Sequence, residues 1–397
     1  MNGAARSDLP IVVAGGGIGG LSAAIGLSRA GYHVLVLERG EAFGEIGAGI
    51  QLGPNVFHAL RRLGLAEQAL VNAVYIDRLI MMDAITGSMV AAIPVDEPFR
   101  KYFKNPYAVI HRADLHAPLL TACQADPKVT LLPKHAVDDY SSGDDTIEVR
   151  ASNGKTFKGV GLIGADGLHS RIRQRVVGDG APIVTGHVAY RAVLPIDEMP
   201  EALRWNAATL WAGPKCHMVH YPLRDWKLFN IVATFHGERT TEGNNEPGDR
   251  DELLAHFEHL PPLPRSVLEK SRNWRRWVLC DRNPVPNWSD GAVTLVGDAA
   301  HPMLQYFAQG ACMAIEDSVC LMEEVGRCGG DLPAAFKRYQ DRRITRTGRV
   351  VLSSRELGRL YHAAGVERLV RNDILGSKTP EDFYRSLDWL YGYGREG

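Results

Sequence analysis

The chain has 397 residues, with 45 Lys+Arg against 46 Asp+Glu and a net charge of −1. Hydrophobic residues at 45% and charged residues at 23% are ordinary globular values that exclude collagen-like and disordered classes, and no basic block marks a nucleic-acid surface. Six scattered cysteines without a C-x-x-C pair exclude a zinc ribbon, a dithiol redox motif and a disulfide framework, and fit a cytoplasmic protein with no metal site.

The first 40 residues read strand, glycine turn, helix, strand. Ile11 to Ala14 is a buried-strand run, Leu21 to Ser28 carries a helical face, and His33 to Leu37 is a second strand ending at Glu38. The uncharged stretch 9–28 contains six glycines and no basic segment precedes it, so it is read as part of this unit and not as a membrane span. Residues 55–75 read as helix and 76–104 as short alternating strands. Val109-Ile110 with a helix over 113–123 returns to an α/β rhythm, and 161–164 is another buried strand. Strand-rich 181–235 reads as a separate antiparallel sheet and 237–250 as a polar surface loop. The strand 292–296 runs into Gly297-Asp298, followed by a helix over about 308–326 and a helical last 50 residues. The expected architecture is α/β: a Rossmann-like domain from 1–75, 105–180 and 283–350, an inserted antiparallel-sheet domain from 76–104 and 181–282, and a helical C-terminus over 351–397.

Gly15, Gly17 and Gly20 form a G-x-G-x-x-G fingerprint between the first strand and the first helix. Such glycines allow a tight turn, close approach of a pyrophosphate and close helix–strand packing, while the helix start offers free N–H groups to the phosphates. Glu38, followed by Arg39, ends the second strand where an acid accepts hydrogen bonds from a ribose. A dinucleotide site follows from this arrangement.

Two later motifs carry a resemblance. Gly164-Ala165-Asp166-Gly167 with Ser170 and Arg171, and Gly297-Asp298-Ala299-Ala300-His301-Pro302, resemble the second and third signatures of the flavoprotein aromatic hydroxylases. The resemblance implies FAD as the cofactor, with Asp166 close to both FAD and NAD(P)H and with Gly297 and Asp298 on the ribityl chain. Pro302 and Gly310 lie along the same loop and helix start. Arg112 matches the arginine that touches the FAD ribose or phosphate, and Gln51 matches the loop near the flavin. A physical reading agrees for Asp298: a carboxylate at the carboxyl end of a buried strand sits where ligands bind in such folds, and it can accept hydroxyl hydrogen bonds.

Within the family, 213–224, 301–306 and the C-terminal Asp388-Trp389-Leu390-Tyr391-Gly392-Tyr393 are similar to members that hydroxylate 3-hydroxybenzoate. The resemblance implies catalytic roles for His217 and Gln305. On a strand, His217, Val219 and Tyr221 share one face and Cys216, Met218 and His220 the other, so only one of the two histidines can accompany Tyr221 in a ring pocket. Tyr107 and Tyr190 are further substrate-binding candidates, and no arginine is assigned to a substrate carboxylate. Arg191 points away from Tyr190 on a regular strand.

The implied activity is an FAD monooxygenase. NADH reduces the flavin, O2 gives a C4a-hydroperoxide, and 3-hydroxybenzoate is hydroxylated to 2,5-dihydroxybenzoate (gentisate), with His217 as a general base titrating near neutral pH. Hydroxylation of salicylate or of another hydroxylated aromatic acid is the alternative. Expected partners are a small aromatic acid and a second copy of the chain, with no nucleic acid and no membrane span.

Overall fold

The structure is a computed structural model that describes residues 9–44, 47–237 and 243–395. Every residue of the strand Ile11–Ala14 is buried. It pairs in parallel with Val34–Leu37 on one side and Gly161–Gly164 on the other. Val129–Leu132 extends the sheet beyond the first neighbour and Val293–Leu295 beyond the second. Strands covered on both faces need continuous apolar runs, and that is how these segments read. The helices Ile18–Arg29 and Gly310–Arg327 pack together against this sheet.

The larger sheet has eight strands, in the order Asn244–Pro247, Arg275–Asp281, Ile183–Pro195, Leu228–His236, Cys216–Leu223, Ala207–Gly213, Arg78–Asp83 and Met89–Pro94. All neighbours run antiparallel except Arg78–Asp83 with Ala207–Gly213, a parallel pair that joins two remote stretches of chain. One face of the sheet packs Tyr190, Trp211, Met218, Phe229 and Phe235 against apolar residues of the helices Arg250–His256 and Pro262–Lys270 and the turns between and beyond them. Ala208, Tyr221 and Leu223, from the other face or the strand end, belong instead to the core of the nucleotide-sheet half.

The C-terminal part is helical: Leu332–Tyr361, Gly365–Gly376 and Pro380–Tyr391. Thr379 and Asp382 form a reciprocal capping box at the start of the last helix. Arg368 anchors the middle helix through an ion pair to Asp83 on the large sheet (Nε to Oδ2 2.7 Å). Burial works to raise the Asp83 pKa, but the bonds from Arg368, Asn372 and two backbone N–H groups outweigh it and hold the carboxyl far below its usual range. No helix among the described residues is long and apolar enough to cross a membrane.

The local reading departs from the structure in three places. The helix expected over 55–75 is two helices, Pro54–Arg62 and Ala66–Ala69, followed by the short strand Val74–Tyr75, because the chain turns at Leu63-Gly64. The strand pattern expected to 104 ends in the helix Glu97–Phe103, where Phe99 and Phe103 bury at helical spacing. Within the loop expected over 237–250, residues 238–242 lie outside the described residues. The remainder contains the edge strand Asn244–Pro247, and Asp249 caps the next helix.

Candidate active site

A Cβ at Gly15 would lie 2.3 Å from the carbonyl oxygen of Ala165, and one at Gly20 would lie 1.9 Å from the carbonyl oxygen of Gly15. Only glycine allows this turn to close on itself and on the Ala165-Asp166 segment. Gly17 caps the helix Ile18–Arg29 without a side-chain hydrogen bond, and its first turn holds no acid, which leaves N–H groups for phosphate. Glu38 spans the loop, accepting from the N–H groups of Gly16 and Gly40 at 2.7 Å each. Arg39 beside it is exposed.

Asp166 accepts from the backbone N–H of Arg171 at 2.7 Å through Oδ2, while its Oδ1 is buried with no partner. Burial raises its pKa against the opposing bonds from Ser170, Ile172 and Arg171. An orphaned buried acceptor is costly and calls for a donor from a ligand. Gly297 is held by its N–H donating to Asp317 Oδ2 at 2.9 Å; Asp317 also binds His301 at 2.6 Å and the Arg343 guanidinium at 2.7 Å. The motif 297–302 is therefore braced from behind by a buried ion network. The helix Gly310–Arg327 begins at Gly310 with no side-chain cap and no acid in its first turn.

A cavity of about 1310 Å³ opens between the nucleotide half and the large sheet. Gln51, Tyr107, Arg112, Asp298 and Gly310 line it from the nucleotide half, His217 and Tyr221 line it from the large sheet, and Gln305 stands against the sheet strands. Gly15, Gly17, Gly20, Glu38, Asp166 and Gly297 lie outside its wall, at the glycine-loop end, and Pro302 is buried outside it too. The glycine cradle, two uncapped helix starts and the unpartnered Asp166 oxygen together suit a long dinucleotide with a polar phosphate middle and a flat ring reaching into the cavity.

Strand alternation places His217, Val219 and Tyr221 on the cavity face, while Cys216 and Met218 pack in the opposite core. His220 lies on that opposite side, near Trp205 and Phe229. Tyr190 is a correction. Its hydroxyl bonds Glu252 and accepts from the Asp249 N–H at 3.1 Å, on the packed face and away from the cavity. Its neighbour Arg191 lines the cavity instead and donates to Gln305 Oε1 at 2.5 Å, with its Nε buried and without a partner. The alternation that sent Arg191 away from Tyr190 was the available signal; which face held the cavity was not.

Gln305 is held on both ends, since its Nε2 donates to Thr234 Oγ1 at 2.9 Å. Thr234 pairs with His217 across adjacent strands, so the amide and the imidazole stand together. Tyr107 donates to Gln51 Oε1 at 2.8 Å, and burial pushes its phenol well above the usual range. Burial also raises Tyr221, whereas it lowers the Arg191 guanidinium.

His217 departs from the near-neutral titration expected of it. Burial, then His187, lowers its pKa to about 3, so the ring is neutral at physiological pH and resists holding a proton. Its Nδ1 bonds His362 Nε2 at 2.7 Å, which leaves Nε2 for a ligand. Nothing in the sequence around 217 points to His362.

The FAD binding domain family model matches residues 8–351. The chain is 51% identical over 387 residues to 3-hydroxybenzoate 6-hydroxylase of Polaromonas naphthalenivorans (strain CJ2), covering 98% of this chain and 96% of that protein. It is 49% identical to 3-hydroxybenzoate 6-hydroxylase of Klebsiella oxytoca, covering 96% of each. Among solved structures it resembles a salicylate hydroxylase substrate complex (TM-score 0.83, 26% identity, 97% of this chain and 95% of that one). Klebsiella pneumoniae HpxO complexed with FAD and uric acid shares the fold (TM-score 0.84, 24% identity, 97% of each chain). With its glycine cradle, its braced Gly-Asp loop and this likeness over nearly its whole length, the chain belongs to the FAD-binding flavoprotein aromatic hydroxylases and is a flavin-dependent monooxygenase.

Proposed function

We propose that the chain hydroxylates 3-hydroxybenzoate at the position para to its hydroxyl, giving 2,5-dihydroxybenzoate, with NADH as electron donor and O2 as oxygen source. The observation that carries this reading is one cavity with His217, Gln305 and Arg191 on the large-sheet side and Asp298 and Gly310 on the nucleotide side. Bound FAD supplies electron storage and oxygen activation. Gly15, Gly17, Gly20, Glu38, Arg39, Gln51, Arg112, Asp166, Gly297, Asp298, Pro302 and Gly310 are the residues that hold it.

The protein's own part is orientation and proton control. A neutral phenol has a pKa of about 10 and is a poor ring nucleophile until it loses its proton. His217 Nε2 accepts that proton, and the resulting phenolate directs substitution ortho and para. Gln305, braced by Thr234 and Arg191, holds the phenolic oxygen in line, and Tyr221 and Tyr107 flank the ring. The Arg191 guanidinium, with an unpartnered Nε, suits the substrate carboxylate.

The same reading takes the chain as a cytoplasmic homodimer built from the two discontinuous domains and the helical tail expected from sequence. The likeness to a salicylate hydroxylase complex makes salicylate the competing substrate. Product identification separates them: with NADH and O2, 3-hydroxybenzoate yields 2,5-dihydroxybenzoate faster than salicylate yields catechol, and the reverse ranking overturns the assignment. His217→Ala is expected to slow hydroxylation on the order of 100-fold or more while flavin reduction by NADH persists.

A further inference from the structure

Removing the phenolic proton poses a problem of charge. His217 must take a proton from the phenol, yet it is 3% exposed and its imidazolium is strongly disfavoured. The structure supplies a path onward. His217 Nδ1 lies 2.7 Å from His362 Nε2, and His362 Nδ1 lies 2.9 Å from His236 Nε2. His217 and His362 are buried, whereas His236 is exposed. The three rings connect the cavity wall to the protein surface through two ring-to-ring hydrogen bonds.

We propose that His217, His362 and His236 form a proton wire that carries the phenolic proton of the bound aromatic acid out of the cavity to solvent. The proposal rests on the hydroxylase reading given above. In the resting wire each ring is neutral, with its proton on Nδ1 and its lone pair on Nε2. Phenol O–H breaks and a proton joins His217 Nε2. The His217 Nδ1 proton passes to His362 Nε2, and the His362 Nδ1 proton passes to His236 Nε2. His236 then releases its own Nδ1 proton to water. One proton enters and one leaves, and each ring ends neutral with its tautomer switched. Rearomatisation breaks the C–H bond at the hydroxylated carbon and releases that proton to water; the phenolic oxygen takes a proton back from His217 Nε2 and His236 Nδ1 takes one from water, which runs the wire backwards and resets it. No external reductant or oxidant enters these steps.

The surroundings favour passage over storage. Burial, followed by the neighbouring imidazoles, holds His362 far below its ordinary range, so neither inner ring keeps the charge. At the outer end, burial and then Lys215 and His256 lower His236, which favours release of its proton to water. His187 stacks on His236 with centroids 4.4 Å apart, and its Nδ1 is engaged by the Tyr306 hydroxyl at 2.6 Å. His362 is fixed by its backbone at the end of the helix Leu332–Tyr361, its N–H donating to Gly358 and its carbonyl accepting from Lys215. The ring nitrogens of His187, His236 and His362 come within 4.8 Å of one another, close enough to invite comparison with a metal site. A metal reading fits less well. The His187 and His236 rings are 18° from parallel, so their lone pairs run side by side and do not converge on one ion, and both His362 nitrogens already face a ring partner.

The test is stopped-flow proton release on mixing the FAD-loaded enzyme with 3-hydroxybenzoate in weak buffer containing chelator and a pH indicator. The single-turnover hydroxylation rate is followed in parallel. His362→Asn and His236→Gln are expected to slow both proton release and hydroxylation on the order of 10-fold or more, with NADH-driven flavin reduction and substrate Kd changing by less than about 3-fold. Free imidazole restores part of the His236→Gln rate. Wild-type proton-release rates in both variants overturn the wire, and if His362→Asn does not fold, His236→Gln alone decides. His217→Ala separates the two levels. If it leaves hydroxylation unchanged, the hydroxylase reading of this site fails; if it slows hydroxylation while the other two variants match wild type, only the wire fails.

Discussion

The two faces of the eight-stranded sheet use the same strands and many of the same residue types for opposite purposes. His217 and His220 sit on one strand, both are buried, and burial lowers both to about 3. His217 faces the cavity, bonded to His362; neither ring nitrogen of His220 has a hydrogen-bond partner. Tyr190 and Arg191 repeat the contrast one residue apart, the tyrosine tied to Glu252 in the packed core and the arginine aimed into the cavity beside Gln305. Burial alone does not mark a functional residue; a polar atom is informative when its face opens onto space a ligand can fill.

If the faces are separable, changes on the packed side should cost stability and leave the chemistry of folded molecules intact. Phe229→Ala removes a fully buried ring from that core and is expected to lower unfolding stability by about 3–5 kcal/mol, read by denaturant titration, with turnover per folded molecule retained. A large loss of turnover at unchanged stability would erase the distinction. On the cavity side, Arg191→Gln is expected to raise the KM for the aromatic acid on the order of 10-fold or more, the loss of a charged hydrogen bond worth about 1.5–3 kcal/mol, with little change in thermal midpoint. An unchanged KM for the carboxylate substrate would remove Arg191 from the binding role.

The smallest effect at neutral pH concerns the shared histidine chemistry. A folded-state pKa depressed below the unfolded value of about 6.5 gives stability that is complete above that pH and is lost as pH falls toward 3, at about 1.4 kcal/mol per pH unit for each such group. Thermal midpoints should therefore fall below about pH 6.5. His220→Leu removes one of these groups together with two unpartnered polar atoms, so it should change stability by less than about 1 kcal/mol at neutral pH, flatten the acid slope and leave activity unchanged. An acid slope identical to wild type would show that His220 contributes nothing to it.

Much of the nucleotide half was legible because its chemistry is local. The glycine turn, the strand before it, the helix after it and Glu38 lie within one short segment, and backbone sterics enforce the glycines wherever that turn occurs. The long helix after Gly297-Asp298 and the helical tail were legible from periodicity. The helix Glu97–Phe103 was not, since about two turns with two phenylalanines are too short to separate from an apolar strand run. In the eight-stranded sheet, alternation tells which residues share a face: His217 with Tyr221, and Arg191 opposite Tyr190. It is silent on which face of the Tyr190 strand meets the cavity, and that face carries Arg191, not Tyr190.

By itself the sequence determined the nucleotide-binding turn, the order of the elements and the partition of each strand into two faces, because these follow from covalent geometry and short-range sterics. The tertiary structure decided which face became a site, which arginine enters it, and that His362, 145 residues from His217, stands against it. Those outcomes depend on which strands pair and which helix end docks over them, and contacts between segments so far apart leave no periodic trace in either segment alone.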